Sequence, residues 1–221
     1  MNWSPPFTLR GFKSIESLEE LKLRKLNVLI GANGAGKSNF IDYFRMLRTF
    51  ADESFQQFVL DSGGGDGFLY LGPKVTPAIS SRIEFGSNAY EFKLQPTAGG
   101  TLQLAEEKVE YERNSFPIGT GSLESALRKK KNEEGRLQPG YPGVAHHVYE
   151  SVSSWTVYHF HVTSPLSWMR RDRPIGDSRS FRHDASNIAP FLLNLKEHEL
   201  GSYDLIRDTV RLIAPFFDDF L

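Results

Sequence analysis

Apolar and polar residues alternate along this chain with two periods, and the changes of period mark its elements. Phe7-Thr8-Leu9-Arg10-Gly11-Phe12-Lys13-Ser14-Ile15 alternates as a half-buried strand does. Residues 18–23 predict a second short strand or a turn, and the apolar run Leu26-Asn27-Val28-Leu29-Ile30 predicts a buried strand. From Asn39 to Leu47 the spacing turns helical, predicting a helix after Lys37 that ends near Phe50 or continues to Val59. Asp61-Ser62-Gly63-Gly64-Gly65-Asp66-Gly67 then reads as a flexible loop. Four β-like runs follow, at residues 81–85, 89–94, 102–105 and 109–112, with turn residues at Gly86-Ser87-Asn88 and across 96–100. Strict alternation between turns predicts an antiparallel meander. Residues 114–142, rich in Gly, Pro, Lys and Glu, read as a mobile insertion with one short helix near 123–131. Residues 155–162 predict a core strand. Two helices are predicted at 186–199 and 201–213, with Asp184, Ser186 and Asn187 available to cap the first. No internal repeat is visible, and the whole reads as α/β.

Composition narrows the classes. At 221 residues the chain has room for one large domain or a core with an elaborated insertion. The net charge of −1 leaves any nucleic-acid contact to a local basic patch. The absence of cysteine excludes disulfides, Cys-ligated zinc and thiol catalysis. The first ten residues lack the apolar stretch of a signal peptide, and no run reaches the roughly 18 apolar residues of a membrane helix. A soluble cytoplasmic protein is the expectation.

The sharpest chemistry lies between the third predicted strand and the first helix. Gly31-Ala32-Asn33-Gly34-Ala35-Gly36-Lys37-Ser38 matches G-x-x-x-x-G-K-[ST], the phosphate-binding loop, in a strand–loop–helix context. Glycines at 31, 34 and 36 let successive N–H groups converge at a helix N-terminus, where phosphate oxygens bind. Lys37 is a compact cation for the β- and γ-phosphates, and Ser38 is the expected Mg²⁺ ligand. The pattern implies a nucleoside triphosphate. No guanine-reading N-K-x-D accompanies it, which weighs against a GTPase.

The stretch Leu9-Arg10-Gly11-Phe12-Lys13-Ser14-Ile15, followed by Leu26 through Ser38 and Asn39, resembles the head domain of the RecF/SMC/OLD group of ABC-type AAA ATPases. Asn33 and Asn39, beyond the general loop pattern, point to that group. A softer resemblance to a RecF-like predicted-ATPase subfamily runs from 158 to 220. The resemblance implies a P-loop NTPase fold with an antiparallel β layer and a helical subdomain (residues 164–221), all within one ATPase domain. It implies ATP and Mg²⁺ as ligands, held by Gly31, Ala32, Asn33, Gly34, Ala35, Gly36, Lys37, Ser38 and Asn39, with Ser38 on the metal. It also implies heads that dimerise around ATP, acting in DNA repair, chromosome maintenance or phage defence. Such heads carry an acidic pair ending a strand, a serine-glycine signature and a switch histidine, and none is recognisable here. The expectation is therefore an N-terminal, nucleotide-holding portion of a head, with weak ATP binding and poor turnover. The alternative is a non-catalytic, nucleotide-dependent interaction module whose site a partner completes.

Other candidates are weaker. Leu60-Asp61-Ser62-Gly63-Gly64 loosely resembles a signature, and Phe216-Phe217-Asp218-Asp219 an acidic strand end, though Pro215 argues for a helix exit into a new strand there. His161, Thr163 and Ser164 stand where such heads place a water-positioning loop. His159 and His161, with His146 and His147, suggest a metal site that lacks a carboxylate cluster. Lys129-Lys130-Lys131 reads as a solvated face balanced by Glu133 and Glu134. Arg170, Arg171 and Arg173 beside Trp168, extended by Arg179 and Arg182, could hold DNA phosphates or pair with Asp172, Asp177 and Asp184.

Overall fold

A computed structural model describes residues 6–112, 114–137, 142–158 and 168–220. Residues 1–155 and 156–221 form two compact units.

The first unit is built on a six-stranded sheet, β1 (Pro6–Phe12), β2 (Ile15–Lys22), β3 (Ile79–Phe85), β4 (Asn88–Pro96), β5 (Leu102–Tyr111) and β6 (Asn114–Gly119). Its order is β2-β1-β3-β4-β5-β6, and every neighbouring pair is antiparallel. The predicted meander is thus present, and β1 and β2 add to it as a hairpin. The runs at 102–105 and 109–112 are one continuous strand. A bulge shifts its register against β4, from Lys93↔Glu106 to Leu94↔Leu104. Alternation sorts the faces. Leu9, Ile79, Ile83, Tyr90, Phe92 and Leu104 are buried on one side. Arg82, Glu91, Lys108 and Glu110 pair across strands on the other.

The buried face is covered by α1 (Lys37–Asp52), α2 (Phe55–Asp61) and α4 (Val144–Ser153). On α1, Tyr43, Met46, Leu47 and Phe50 recur at helical spacing and are fully buried. The predicted helix ends where Glu53 turns left-handed (φ 54). Gly63 and Gly64 close α2 in the same way, with Gly64 N–H on the Val59 carbonyl at 2.9 Å. That turn is what the signature-like Leu60-Asp61-Ser62-Gly63-Gly64 builds. Within 114–142, β6 forms a sheet edge that tolerates Pro117. The expected helix begins later, as α3 (Leu127–Leu137). Lys130 pairs with Glu133, and Lys131 pairs with Glu150. Glu134 instead accepts the N–H groups of Ala145 and His146 at the start of α4, at 3.3 and 3.2 Å.

Leu26-Asn27-Val28-Leu29-Ile30 forms no strand and is not buried, with Leu26, Val28, Leu29 and Ile30 exposed by 80, 72, 47 and 91%. An apolar run becomes a buried strand only when neighbours supply a ladder and a cover, and no described strand pairs with it. Residues 155–158 likewise form no strand. The rest of that predicted strand, with His159, His161, Thr163 and Ser164, lies outside the described residues.

Burial leaves one carboxylate to account for. Glu107 on β5 is 2% exposed. It accepts from Tyr90 Oη at 2.6 Å, from Ser125 Oγ, and from Ala126 N–H at 2.8 Å. Desolvation raises its pKa, and the three donors only partly offset that. A carboxyl raised on folding adds stability below its unfolded value and loses it as pH rises through the folded one. Urea midpoints should therefore fall from about pH 4.5 upward, by a component that Glu107→Leu removes. The same variant removes the acceptor of two buried hydroxyls, Tyr90 and Ser125, and of the half-buried Ala126 N–H, and should cost at least about 2 kcal/mol at neutral pH. Unchanged midpoints across that range, in both proteins, would contradict this.

The second unit contains a 3-10 turn (Trp168–Arg170), α5 (Ile188–His198) and α6 (Leu200–Ile213). Both predicted helices are present. Asn187 does not cap α5 with its side chain. It is fully buried and ties the preceding loop, donating to the Asp177 and Ser180 carbonyls and accepting from Arg182 N–H. After α6 the chain leaves without a strand through residue 220. No helix among the described residues is long and apolar enough to cross a membrane.

Candidate nucleotide-binding site

The loop at residues 31–36 reaches α1 through two glycines in the left-handed region, Gly34 at φ 82 and Gly36 at φ 87. No neighbour crowds Gly34, so its requirement is conformational alone. A side chain at Gly36 would also run into Ser14 Oγ. Between them Ala35 N–H closes a turn on the Ala32 carbonyl at 3.2 Å. The first helical bond of α1 is Phe40 N–H to the Gly36 carbonyl at 3.0 Å. The N–H groups of Lys37, Ser38 and Asn39 lie ahead of that bond. No side chain caps them, and the first turn carries no acid. The positive end of a 16-residue helix is therefore open to an anion.

Lys37 curls back over its own loop, its Nζ donating to the carbonyls of Gly31 at 2.7 Å and Ala32 at 2.8 Å. Ser38 and Asn33 are exposed. Residues 31–39 run into one helix start, where left-handed glycines, uncapped N–H groups and the Lys37 ammonium offer an anion a place to bind. Asn39 contributes its N–H to that set, while its side-chain amide donates to Ser14 Oγ at 2.9 Å. Asp42, the first acid on α1, is neutralised by Lys13 at 2.7 Å and Arg45 at 3.3 Å. The contact of Ser14 and Lys13 with this helix carries no local sequence signal, since its partners are 25 and 29 residues away.

The remaining candidates go elsewhere. Asp218 pairs with Arg211 at 3.2 Å. Asp219 accepts from Tyr203 Oη at 2.5 Å and Lys196 Nζ at 2.9 Å, which hold its pKa down to about 2. Both acids make ion pairs within the helical unit, Asp218 from a fully exposed position. Arg182 pairs with Asp177 at 3.0 Å, and Arg170 is exposed on its 3-10 turn. His146 and His147 meet edge to face on α4. Among the described residues no group of three or more His, Asp or Glu is placed to hold a metal.

No curated protein and no solved structure matches the chain. A family model described as "AAA domain, putative AbiEii toxin, Type IV TA system" matches residues 26–212. That span opens on the exposed run before the phosphate loop and closes near the end of α6. With most of its length covered, the chain belongs to this AAA-domain family of P-loop ATPases.

Proposed function

We propose that the chain binds ATP with Mg²⁺ at residues 31–39, as the nucleotide-holding part of a RecF/SMC/OLD-like ATPase. The observation carrying this is the uncapped start of α1, set behind two left-handed glycines with the Lys37 ammonium held over the loop. Backbone N–H groups from Asn33 to Asn39 receive phosphate oxygens, Lys37 neutralises the β- and γ-phosphates, and Ser38 offers its hydroxyl to Mg²⁺. Mg²⁺ held by the Ser38 hydroxyl would supply charge neutralisation to the triphosphate. Phosphoryl transfer depends mainly on positioning and charge, so a site that holds the triphosphate does much of the work before hydrolysis begins. In the assembled enzyme two heads close on ATP and part after hydrolysis. Arg170, Arg171 and Arg173 are the side chains that would meet nucleic-acid phosphates in a repair, chromosome-maintenance or defence role.

The engagement of Asp218 and Asp219 in ion pairs favours a second reading. In it the chain binds ATP, and a partner supplies the acid that activates water. Calorimetric titration with ATP, GTP and CTP, with and without Mg²⁺, tests the shared premise. Magnesium-dependent binding that favours ATP is expected, and folded protein that binds no nucleotide would refute both readings. A turnover rate that rises only with added partner selects the second.

A further inference from the structure

We propose that Ser14, on the turn between β1 and β2, is a positioning residue that preorganises the phosphate loop through the side chain of Asn39. The inference rests on the nucleotide-site reading above and adds a residue to it.

The turn is only Lys13 and Ser14, since Phe12 pairs with Ile15 across it. It is fixed from behind. Lys13 N–H donates to the Phe68 carbonyl at 2.7 Å, and Tyr70 N–H donates to the Gly11 carbonyl at 3.0 Å. Gly11, at φ 75, backs so closely on the Ala78 carbonyl that a Cβ would meet its oxygen at 2.8 Å. Lys13 itself is held at φ 50, a conformation non-glycine residues adopt only when surroundings impose it. Both side chains of this anchored turn reach the beginning of α1. Lys13 Nζ meets Asp42 at 2.7 Å, and Ser14 Oγ receives Asn39 Nδ2 at 2.9 Å. Asn39 and Asp42, three residues apart, share one face of the helix. Ser14 also occupies the space a side chain at Gly36 would need. A single hydroxyl therefore bonds the Asn39 side chain and stands where a side chain at Gly36 would go.

What lies between the two partners gives this contact its weight. The hydrogen bond joins residues 25 apart and closes an excursion containing β2, the exposed run 26–30 and the phosphate loop. On its N-terminal side the loop follows a segment that no described strand pairs with. Among the described residues the loop is tied on its C-terminal side, by α1 and through Asn39 by Ser14. Ordering free backbone costs about 1–2 kcal/mol per residue, so a loop released from this tie must be ordered by the ligand. Ser14 is exposed and adds nothing to the core, so its loss should appear in binding rather than in folding.

The test compares Ser14→Ala, Asn39→Ala, the double variant and Ser14→Thr, with MgATP, MgADP and pyrophosphate as ligands. Each single alanine variant should bind all three ligands about 2- to 10-fold more weakly, the range of one hydrogen bond. The double variant should be no weaker than the weaker single one, because one contact is lost in both. Ser14→Thr, which keeps the hydroxyl, should retain affinity. Thermal midpoints without ligand should match the wild type, whereas a purely structural role would lower them and spare affinity. Hydrogen exchange of residues 31–38 without nucleotide should speed up in Ser14→Ala, and this reads the tie independently of binding. Wild-type affinity in Ser14→Ala, strictly additive losses, or unchanged exchange would overturn the inference. Wild-type binding no better than that of Lys37→Ala would instead overturn the nucleotide-site reading, with the exchange result still deciding whether Ser14 orders the loop.

Discussion

A Lys37→Ala variant is expected to bind MgATP about 10- to 150-fold more weakly than the wild type, the equivalent of one charge-assisted contact. The ammonium already sits over the loop, donating to the Gly31 and Ala32 carbonyls at 2.7 and 2.8 Å. Its removal deletes the only cation within the nine-residue motif. The helix N-terminus and the loop N–H groups remain, so residual binding persists. Lys37→Arg should rescue little, because a planar guanidinium does not replace a compact ammonium between two carbonyls. Stability supplies a second measure. A ligand at about a hundred times its dissociation constant stabilises the native state by about 2.7 kcal/mol. The wild-type melting temperature should therefore rise with saturating MgATP, and that rise should nearly vanish in Lys37→Ala at the same concentration. Without ligand the two proteins should melt together, since the bonds of Lys37 among the described residues are to its own loop. Equal affinity in variant and wild type would remove the phosphate loop from the site.

The turn into α1 was legible because its requirements are local: Gly34 and Gly36 where φ is positive, then the start of a helix at Lys37, whereas Gly31 has no positive φ. The sheet was legible where alternation is unbroken, as in β1, β3 and β4. It was obscured in β5, where Glu106, Glu107 and Lys108 interrupt the apolar pattern at a bulge, and Glu107 is buried against expectation. The edge strand β6 was hidden by Pro117 and by four exposed residues, Asn114, Ser115, Phe116 and Pro117, that no core demands. The run at 26–30 misled for a different reason. Periodicity reports that a segment is suited to burial, but neighbours decide whether it is buried, and these are not encoded in the segment. The tie from Ser14 to Asn39 joins residues 25 apart and has no local signature either, although both lie in the stretch that carries the family resemblance.

Phe50→Ala should be the most destabilising single change in the first unit, at about 3–5 kcal/mol. Phe50 is fully buried near the end of α1, where its ring meets Phe55 of α2 edge-on at 4.9 Å and Phe92 of β4 at 5.1 Å. Three elements thus converge on one side chain, and its truncation leaves a cavity that a helix pinned at both ends cannot collapse. Domains hold only about 5–15 kcal/mol in all, so the variant retains a narrow margin. The urea midpoint should fall with an unchanged m-value, which separates lost stability from a changed denatured state. Phe50→Leu should recover more than half of the loss by refilling most of the volume. A loss below about 1 kcal/mol would mean that Phe55 and Phe92 repack around the gap. Binding should separate from stability in this variant. Phe50 lies about 20 Å along the helix from Lys37, so, at temperatures where the variant is folded, MgATP affinity should stay within about twofold of wild type. The opposite result, intact stability with lost affinity, would mean that α1 responds as one rigid lever, transmitting a change at its buried end to the phosphate end.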